Sequence, residues 1–304
     1  MMKNFKIIAI ILTIISSLII LIAGFIEGLS ILENFGIKNI FSEITIGSNE
    51  KIIIAFCLLF PFSSFLLILF NISQFIKGNF LNGSVYSIIG GIIALIGIII
   101  PLIFGFQINF FNIGLILLAS IILFSLGYKG FIETKKVFIH RPFLTNLEIS
   151  FVASLSALTA ILTAYVGAMF PSPTGGYTHV GDTIIFLAGI LFGSKIGGLV
   201  GMIGSLVADF IVGYPRWFVS IPAHGFEGII AGFGKNKNIV FKIIFCFLGG
   251  LIMALTYFYV NIFIKGYPAA IISFIRDLFG QALVSLILAI PISKILEKVI
   301  KFSI

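Results

Sequence analysis

Charged residues are scarce in this chain of 304 residues, and their scarcity excludes a water-soluble domain. Asp, Glu, Lys and Arg make up 10% of the sequence, whereas a soluble domain carries roughly 25%. Hydrophobic residues make up 60%, and the mean hydropathy is +1.23. Unbroken apolar runs such as residues 88–106 also argue against a membrane β-barrel, whose strands alternate apolar and polar residues. The composition therefore predicts an all-α integral membrane protein.

Cysteine is also scarce. The two cysteines, Cys57 and Cys246, both fall inside predicted helices, so neither a disulfide framework nor a metal site is expected, and no cofactor is predicted. The net charge of +8 comes from Lys and Arg residues scattered singly between apolar runs. This pattern is typical of membrane topology, so the expected partner is membrane lipid and no nucleic acid.

The apolar runs predict about ten transmembrane helices, because each approaches the roughly 20 residues needed to cross a bilayer. Their predicted ranges are 5–30, 51–71, 84–106, 109–128, 148–170, 181–194, 196–213, 217–233, 239–264 and 268–292. The first run resembles a signal peptide but lacks a convincing cleavage site, so we interpret it as a retained helix. Most Lys and Arg residues fall on the side of both chain ends. The positive-inside rule therefore predicts a multi-pass cell-membrane protein with both termini in the cytoplasm.

A polar connector at residues 128–141, YKGFIETKKVFIHR, divides two regions of different character. Residues 1–140 are predicted to form an N-terminal membrane region of about four helices, with its few polar residues in loops and no assigned role. Residues 141–304 are predicted to form a six-helix core that is richer in Gly and Ala and carries charges inside its helices.

Polar side chains inside the second region are the main functional signal. An ionisable residue within a membrane span costs roughly 2.5–3.5 kcal/mol on insertion scales, so each one requires an explanation. The candidate substrate-binding residues are Gly176, Tyr177, His179, Asp182, Asp209, Tyr214, Trp217, His224, Glu227, Arg276, Asp277 and Gln281. Under the predicted topology they all lie in the outer half of the bilayer. They therefore predict an outward-facing pocket with aromatic walls and both signs of charge, suited to a small planar polar solute.

The charged members of this set also have structural interpretations. Arg276 could pair with Asp277 or Asp209 and serve only to fix helix packing. His224 and Glu227 are spaced i, i+3, so they share a helix face and could simply hydrogen-bond to each other.

Three further members have alternatives of the same kind. Asp182 could be only the N-terminal cap of its helix. Tyr214 and Trp217 lie at the expected depth of an interfacial aromatic belt. The sequence alone does not choose between a structural role and a substrate-binding role for these three residues.

Small residues form a stripe on the helix predicted at 148–170. The stripe consists of Ala153, Ala157, Ala160, Ala164 and Ala168. Small side chains allow close helix approach in lipid, so the stripe predicts either docking of a partner protein or packing within the chain. The glycines Gly197, Gly201 and Gly204 form a second stripe, which is predicted to pack internally.

The segment from Phe170 to Gly234 resembles the substrate-binding S component of energy-coupling factor (ECF) transporters. The most specific pieces are GGYTHVGD, GSLVADFIVGYP and HGFEG, and the resemblance covers roughly residues 145–304. It implies a six-helix core that binds a vitamin from outside, with the Ala stripe docking on a T-type transmembrane coupling protein that works with two ABC ATPases. The four preceding helices depart from that pattern.

The same resemblance implies a transporter subunit rather than an enzyme. No G-x-x-x-x-G-K-[ST] loop is present, so ATP hydrolysis is assigned to the partner ATPases. Two rivals remain, an intramembrane enzyme or an ion-coupled secondary carrier, each using Asp209, His224 and Glu227. Neither a G-x-S-x-G nor an H-E-x-x-H motif supports the enzyme, and no clear internal repeat supports the carrier. Riboflavin-like, pyridine-like and pyrimidine-like solutes all suit the predicted pocket.

Overall fold

The computed structural model describes residues 2–42, 44–76, 80–107, 110–133, 144–167 and 181–300, and within these ranges it contains helices and no strand. The helices are α1 (Met2–Asn34), α2 (Ser48–Ile76), α3 (Phe80–Ile103), α4 (Phe110–Glu133), α5 (Asn146–Gly167), α6 (Asp182–Phe192), α7 (Ser194–Val212), α8 (Trp217–Ala231), α9 (Ile239–Lys265), α10 (Tyr267–Ile275) and α11 (Leu283–Ile300). A π-helical segment, Arg276–Ala282, joins α10 and α11 into one continuous helix.

The predicted all-α membrane fold is confirmed. Eight helices are long and apolar enough to cross a bilayer, counting α10 to α11 as one. The other two, α6 and α8, have 11 and 15 residues and are shorter than the span length of roughly 20 residues. Each of the ten predicted segments coincides with a helix.

Contacts between helices divide the chain into two compact units. The first comprises residues 1–40 and 44–140 and contains α1 to α4. In this unit α2 packs on α1 and α3, and α4 packs on α3 and α1. An apolar cluster from all four helices, including Ile20, Ile68, Ala94 and Leu123, forms its core.

The expectation that polar residues of the first region lie in loops was wrong for several side chains. Glu27, Asn71 and Asn112 are buried within α1, α2 and α4. The Nδ2 group of Asn71 donates a hydrogen bond to Ser87 Oγ on α3. These residues stand alone in long apolar runs, so the hydropathy of the surrounding sequence hides them.

The second unit comprises residues 41–43 and 141–304 and contains α5 to α11. The short helix α6 lies at its centre and packs on α5, α7, α8 and α11. Every α6 residue from Asp182 to Ile190 is buried. The centre of this unit therefore receives the side chain of Asp182, the first residue of α6.

Close packing of α7 on α8 depends on glycine. A Cβ atom added to Gly201 would overlap the backbone carbonyl of His224, and one added to Gly197 would overlap the carbonyl of Gly228. The predicted internal role of the glycine stripe is confirmed. This contact holds the backbone of His224 directly against α7.

Local signals set the start of α5 and the end of α7. Thr145 and Glu148 form a capping box, in which the Thr145 N–H donates to Glu148 Oε2 (2.8 Å) and the Glu148 N–H donates to Thr145 Oγ1 (3.3 Å). Gly213 ends α7 in the left-handed region, with φ of 68°, and its N–H donates to the carbonyl of Asp209.

Candidate functional site

Four polar side chains from three separate stretches of the second unit meet at one buried point. Asp182 begins α6, His224 and Glu227 lie on α8, and Gln281 lies in the π-helical segment. His224 Nδ1 lies 2.8 Å from Glu227 Oε2 and 3.1 Å from Asp182 Oδ1. Gln281 Nε2 donates to Asp182 Oδ2 at 2.8 Å. We call these four residues the buried polar cluster.

The cluster is shielded from solvent. The side chains of Asp182, His224 and Glu227 are 0% exposed, and Gln281 is 4% exposed. Electrostatic interactions in such a medium are much stronger than in water, and an unpaired charge is correspondingly expensive.

The face of α8 that carries His224 and Glu227 extends to the N-terminal end of the helix. Trp217, Ser220, His224 and Glu227 follow at spacings of three, four and three residues, so they share one face. Ser220 Oγ lies 2.6 Å from Tyr257 OH, and Tyr257 OH lies 3.5 Å from His224 Nε2. A line of polar groups therefore leads from near the start of α8 to the buried cluster.

Asp182 does not act as an N-terminal cap, so the capping interpretation was wrong. The N-cap of α6 is Gly181, and no side-chain cap hydrogen bond occurs there. The carboxylate of Asp182 instead binds His224 and Gln281. The second alternative, a hydrogen bond between His224 and Glu227, is confirmed, but it does not isolate the pair because Asp182 contacts the same ring nitrogen.

Arg276 pairs with its neighbour Asp277, as one of the structural interpretations predicted. Arg276 Nε donates to Asp277 Oδ1 at 2.9 Å, and a terminal nitrogen of the guanidinium also contacts that oxygen. Both residues lie in the same π-helical segment as Gln281. Such segments are rare and occur often at functional sites, because the extra residue changes the direction of the side chains that follow.

The other candidate substrate-binding residues that the structure describes lie where α7 meets α8. Arg216 donates to Tyr214 OH at 3.0 Å and its guanidinium lies over the Tyr214 ring. Trp217 packs against Phe210 with ring centroids 5.2 Å apart. Asp209 is buried in the last turn of α7. The contacts described for Tyr214 and Trp217 are with other residues of this junction.

Several predicted residues cannot be placed. Gly176, Tyr177 and His179 of the loop before α6 lie outside the described residues, and so does Ala168. Their predicted roles stay predictions.

The structure divides the Ala stripe on α5. Ala153 and Ala157 are exposed, whereas Ala160 and Ala164 are buried at 2% and 4% exposure. Ala160 and Ala164 therefore pack within the chain, and docking of a partner on the stripe stays a prediction.

Sequence reasoning missed Tyr257 and Ser220, which contact His224 or each other. Tyr257 sits in the apolar run of α9 and gives no sequence signal of its own. Ser220 could have been found, because it lies four residues before His224 on the same helix face.

One comparison with known proteins matches the second unit of the chain. A family profile described as "ECF-type riboflavin transporter, S component" matches residues 144–298, which include the whole buried polar cluster. An uncharacterized protein in the gap 3′ region of Pyrococcus woesei is 36% identical over 126 residues, 40% of this chain and 84% of that protein.

Two further relatives are UPF0397 proteins. The one from Streptococcus pneumoniae serotype 19F (strain G54) is 35% identical over 80 residues, 26% of this chain and 44% of that protein. The one from Lactobacillus helveticus (strain DPC 4571) is 33% identical over 82 residues, 27% of this chain and 44% of that protein. The chain thus covers less than half of each UPF0397 relative.

The profile spans half of the chain. The eight apolar helices agree with the membrane protein that the profile describes. Membership of this family implies a transporter subunit rather than an enzyme. The chain belongs to the family of ECF-type riboflavin transporter S components.

Proposed function

We propose that the chain is the substrate-specific component of an ECF ABC-type importer and captures a small water-soluble vitamin or precursor from outside the cell. The observation that carries the proposal is the convergence of the buried polar cluster inside the family-matched region. Residues 141–304 are then the substrate-binding core. A riboflavin-like, pyridine-like or pyrimidine-like ring carries several hydrogen-bonding groups at its edge, which such a cluster can satisfy.

The face of α8 supplies a path for the solute. Trp217 and His224 are seven residues apart, which is about 10 Å along the helix axis at 1.5 Å per residue. Aromatic and cationic groups from Trp217, Tyr214 and Arg216 lie at the outer end of this path, where a planar ring could stack before reaching the cluster. The polar groups between them, Ser220 and Tyr257, lower the cost of desolvating the solute.

Transport energy is assigned to partners. The sequence lacks the phosphate-binding loop of ABC ATPases, so two such ATPases and a T-type transmembrane coupling protein complete the importer. The exposed pair Ala153 and Ala157 remains the proposed docking surface, because an Ala-x-x-x-Ala pair lets another helix approach closely.

Both termini are assigned to the cytoplasm from the positive-inside rule. Reporter fusions at each end, one active only in the cytoplasm and one active only outside, test this orientation. Outside activity from either terminus would reverse the assignment.

Ligand binding by the purified full chain tests the function. Mass spectrometry of small molecules that copurify in detergent identifies the solute class, and quenching of riboflavin fluorescence gives an affinity for the flavin candidate. Glu227→Gln and Gln281→Met should each weaken binding about tenfold or more, since each removes a buried charge or donor worth about 1–3 kcal/mol. Glu297→Gln is the matched control, because Glu297 pairs with Lys242 away from the cluster.

The proposal fails if no ring compound copurifies and none of the three ring classes binds. It also fails in its choice of site if both cluster variants bind a ligand as tightly as the wild type and the Glu297→Gln control.

A further inference from the structure

Three side chains of the buried polar cluster have the arrangement of a small-cation site. Asp182, His224 and Glu227 each offer one ligand atom, and these atoms all lie within 4.8 Å of one another. Two donors about 2.1 Å from a metal ion lie about 3 Å apart at right angles and about 3.4 Å apart at the tetrahedral angle. The separations of His224 Nδ1 from the two carboxylate oxygens, 2.8 and 3.1 Å, are close to the right-angle spacing and slightly below the tetrahedral one.

His224 Nδ1 has too few hydrogens to donate to both neighbouring carboxylates. His224 Nδ1 carries at most one hydrogen, yet one carboxylate oxygen from Asp182 and one from Glu227 both lie within hydrogen-bond distance of it.

A second observation concerns the other carboxylate oxygen of Glu227. Glu227 Oε1 is buried and has no hydrogen-bond partner among the residues that the structure describes. A fully buried carboxylate oxygen left in this state is costly, by the desolvation of an ionised group. A cation bound by both oxygens of the Glu227 carboxylate would satisfy it.

The surrounding groups resemble the outer shell of a metal site. Gln281 Nε2 donates to Asp182 Oδ2, the carboxylate oxygen that does not face His224. Tyr257 OH lies beside His224 Nε2 and is itself held by Ser220 Oγ. Metal-binding imidazoles commonly use their second nitrogen to donate to such a partner, which fixes the tautomer and leaves the other nitrogen free to bind.

We propose that Asp182, His224 and Glu227 bind one divalent transition-metal ion of the zinc or manganese class. One imidazole nitrogen and two carboxylates suit these ions, and three protein ligands leave a position open for water or for a polar atom of a solute. The sequence predicted no metal because both cysteines fall inside predicted helices, and no local pattern brings Asp182 to His224 and Glu227. The proposal concerns side chains of the proposed solute site but does not depend on which solute, if any, binds there.

Metal binding without any vitamin tests the proposal. Tag-free full chain in detergent is stripped with a chelator and dialysed against Zn²⁺, Mn²⁺ or Co²⁺, and bound metal is measured by elemental mass spectrometry. We expect one ion per chain for at least one of these metals, with visible absorption bands for Co²⁺. Glu227→Gln and Asp182→Asn should each lower metal affinity at least tenfold, and Tyr257→Phe should lower it to a smaller extent.

Controls separate this site from others. Glu297→Gln should keep full metal binding, as should His140→Gln, which removes a histidine far from α6 and α8 in the sequence. Size-exclusion profiles show whether each variant is folded, and the wild-type stoichiometry stands independently of them. Absence of saturable binding of all three metals to the wild type overturns the proposal, as does binding that survives both Asp182→Asn and Glu227→Gln.

The outcome is distinct from that of the solute experiment. Failure to bind metal while a vitamin still binds overturns the metal site alone. Stoichiometric metal binding without any vitamin binding supports the metal site and leaves the proposed solute without support.

Discussion

Gln281 donates a hydrogen bond of 2.8 Å to Asp182 across 99 positions of sequence, and this bond joins the first residue of α6 to the π-helical segment. Asp182 is thereby tied to the last helix of the core as well as to His224 on α8. The carboxylate of Asp182 therefore connects α6, α8 and the π-helical segment through hydrogen bonds. Gln281 lies within the π-helical turn, and a turn of this kind changes the direction of the side chains that follow it.

Replacing Gln281 by Met should lower the stability of the protein by about 1–3 kcal/mol, because Asp182 Oδ2 would lose a buried donor while the side-chain volume is kept. The midpoint of thermal unfolding in detergent measures this effect. Gln74→Met on α2, where the side chain is partly exposed, provides a matched control that should shift the midpoint little. An unchanged midpoint for the Gln281 variant would mean that this hydrogen bond contributes nothing to stability.

Much of the fold followed from hydropathy alone, since each of the ten apolar runs forms a helix. The contact between His224 and Glu227 also followed from their i, i+3 spacing. The residues that other helices contribute to the buried polar cluster did not follow from any sequence pattern. The bond between Gln281 and Asp182 depends on tertiary packing and on an irregular turn that no local pattern predicts.

The Ala stripe shows a different limit of sequence reasoning. Small residues at spacings of three and four allow close helix packing against either the same chain or another chain. Sequence gives no means of separating these cases, and the structure buries Ala160 and Ala164 while it exposes Ala153 and Ala157.

A methyl group at Gly201 should destabilise the core. Gly201→Ala would place Cβ against the carbonyl of His224, and overpacking of this kind costs about 1–3 kcal/mol. The displaced carbonyl belongs to a cluster residue, so metal or solute affinity should fall together with the unfolding midpoint. Gly114→Ala on α4 is the control, because a Cβ there meets nothing within 4 Å and alanine favours a helix. Equal midpoints for the two variants would contradict the close packing.

Removing the charge of Glu27 should not destabilise the first unit. Both carboxylate oxygens of this α1 residue are buried without a hydrogen-bond partner among the described residues. Glu27→Gln keeps the shape of the side chain and removes the cost of burying an ionised carboxylate, so the unfolding midpoint should stay the same or rise. A fall in the midpoint would reveal a partner that needs the carboxyl group, and Glu33→Gln at the exposed end of α1 serves as the reference substitution.

The exposed pair on α5 gives the sharpest test of partner docking. Ala157→Trp adds a bulky ring to an exposed small position, so it should abolish vitamin uptake in cells while leaving ligand binding by the purified chain unchanged. Leu158→Trp, at the neighbouring exposed position about 100° around the helix, should leave both activities intact. Ala160→Trp should instead reduce ligand binding and stability together, because Ala160 is buried. Copurification of the coupling protein with each variant measures docking directly. Normal uptake by Ala157→Trp would remove this surface from the importer interface.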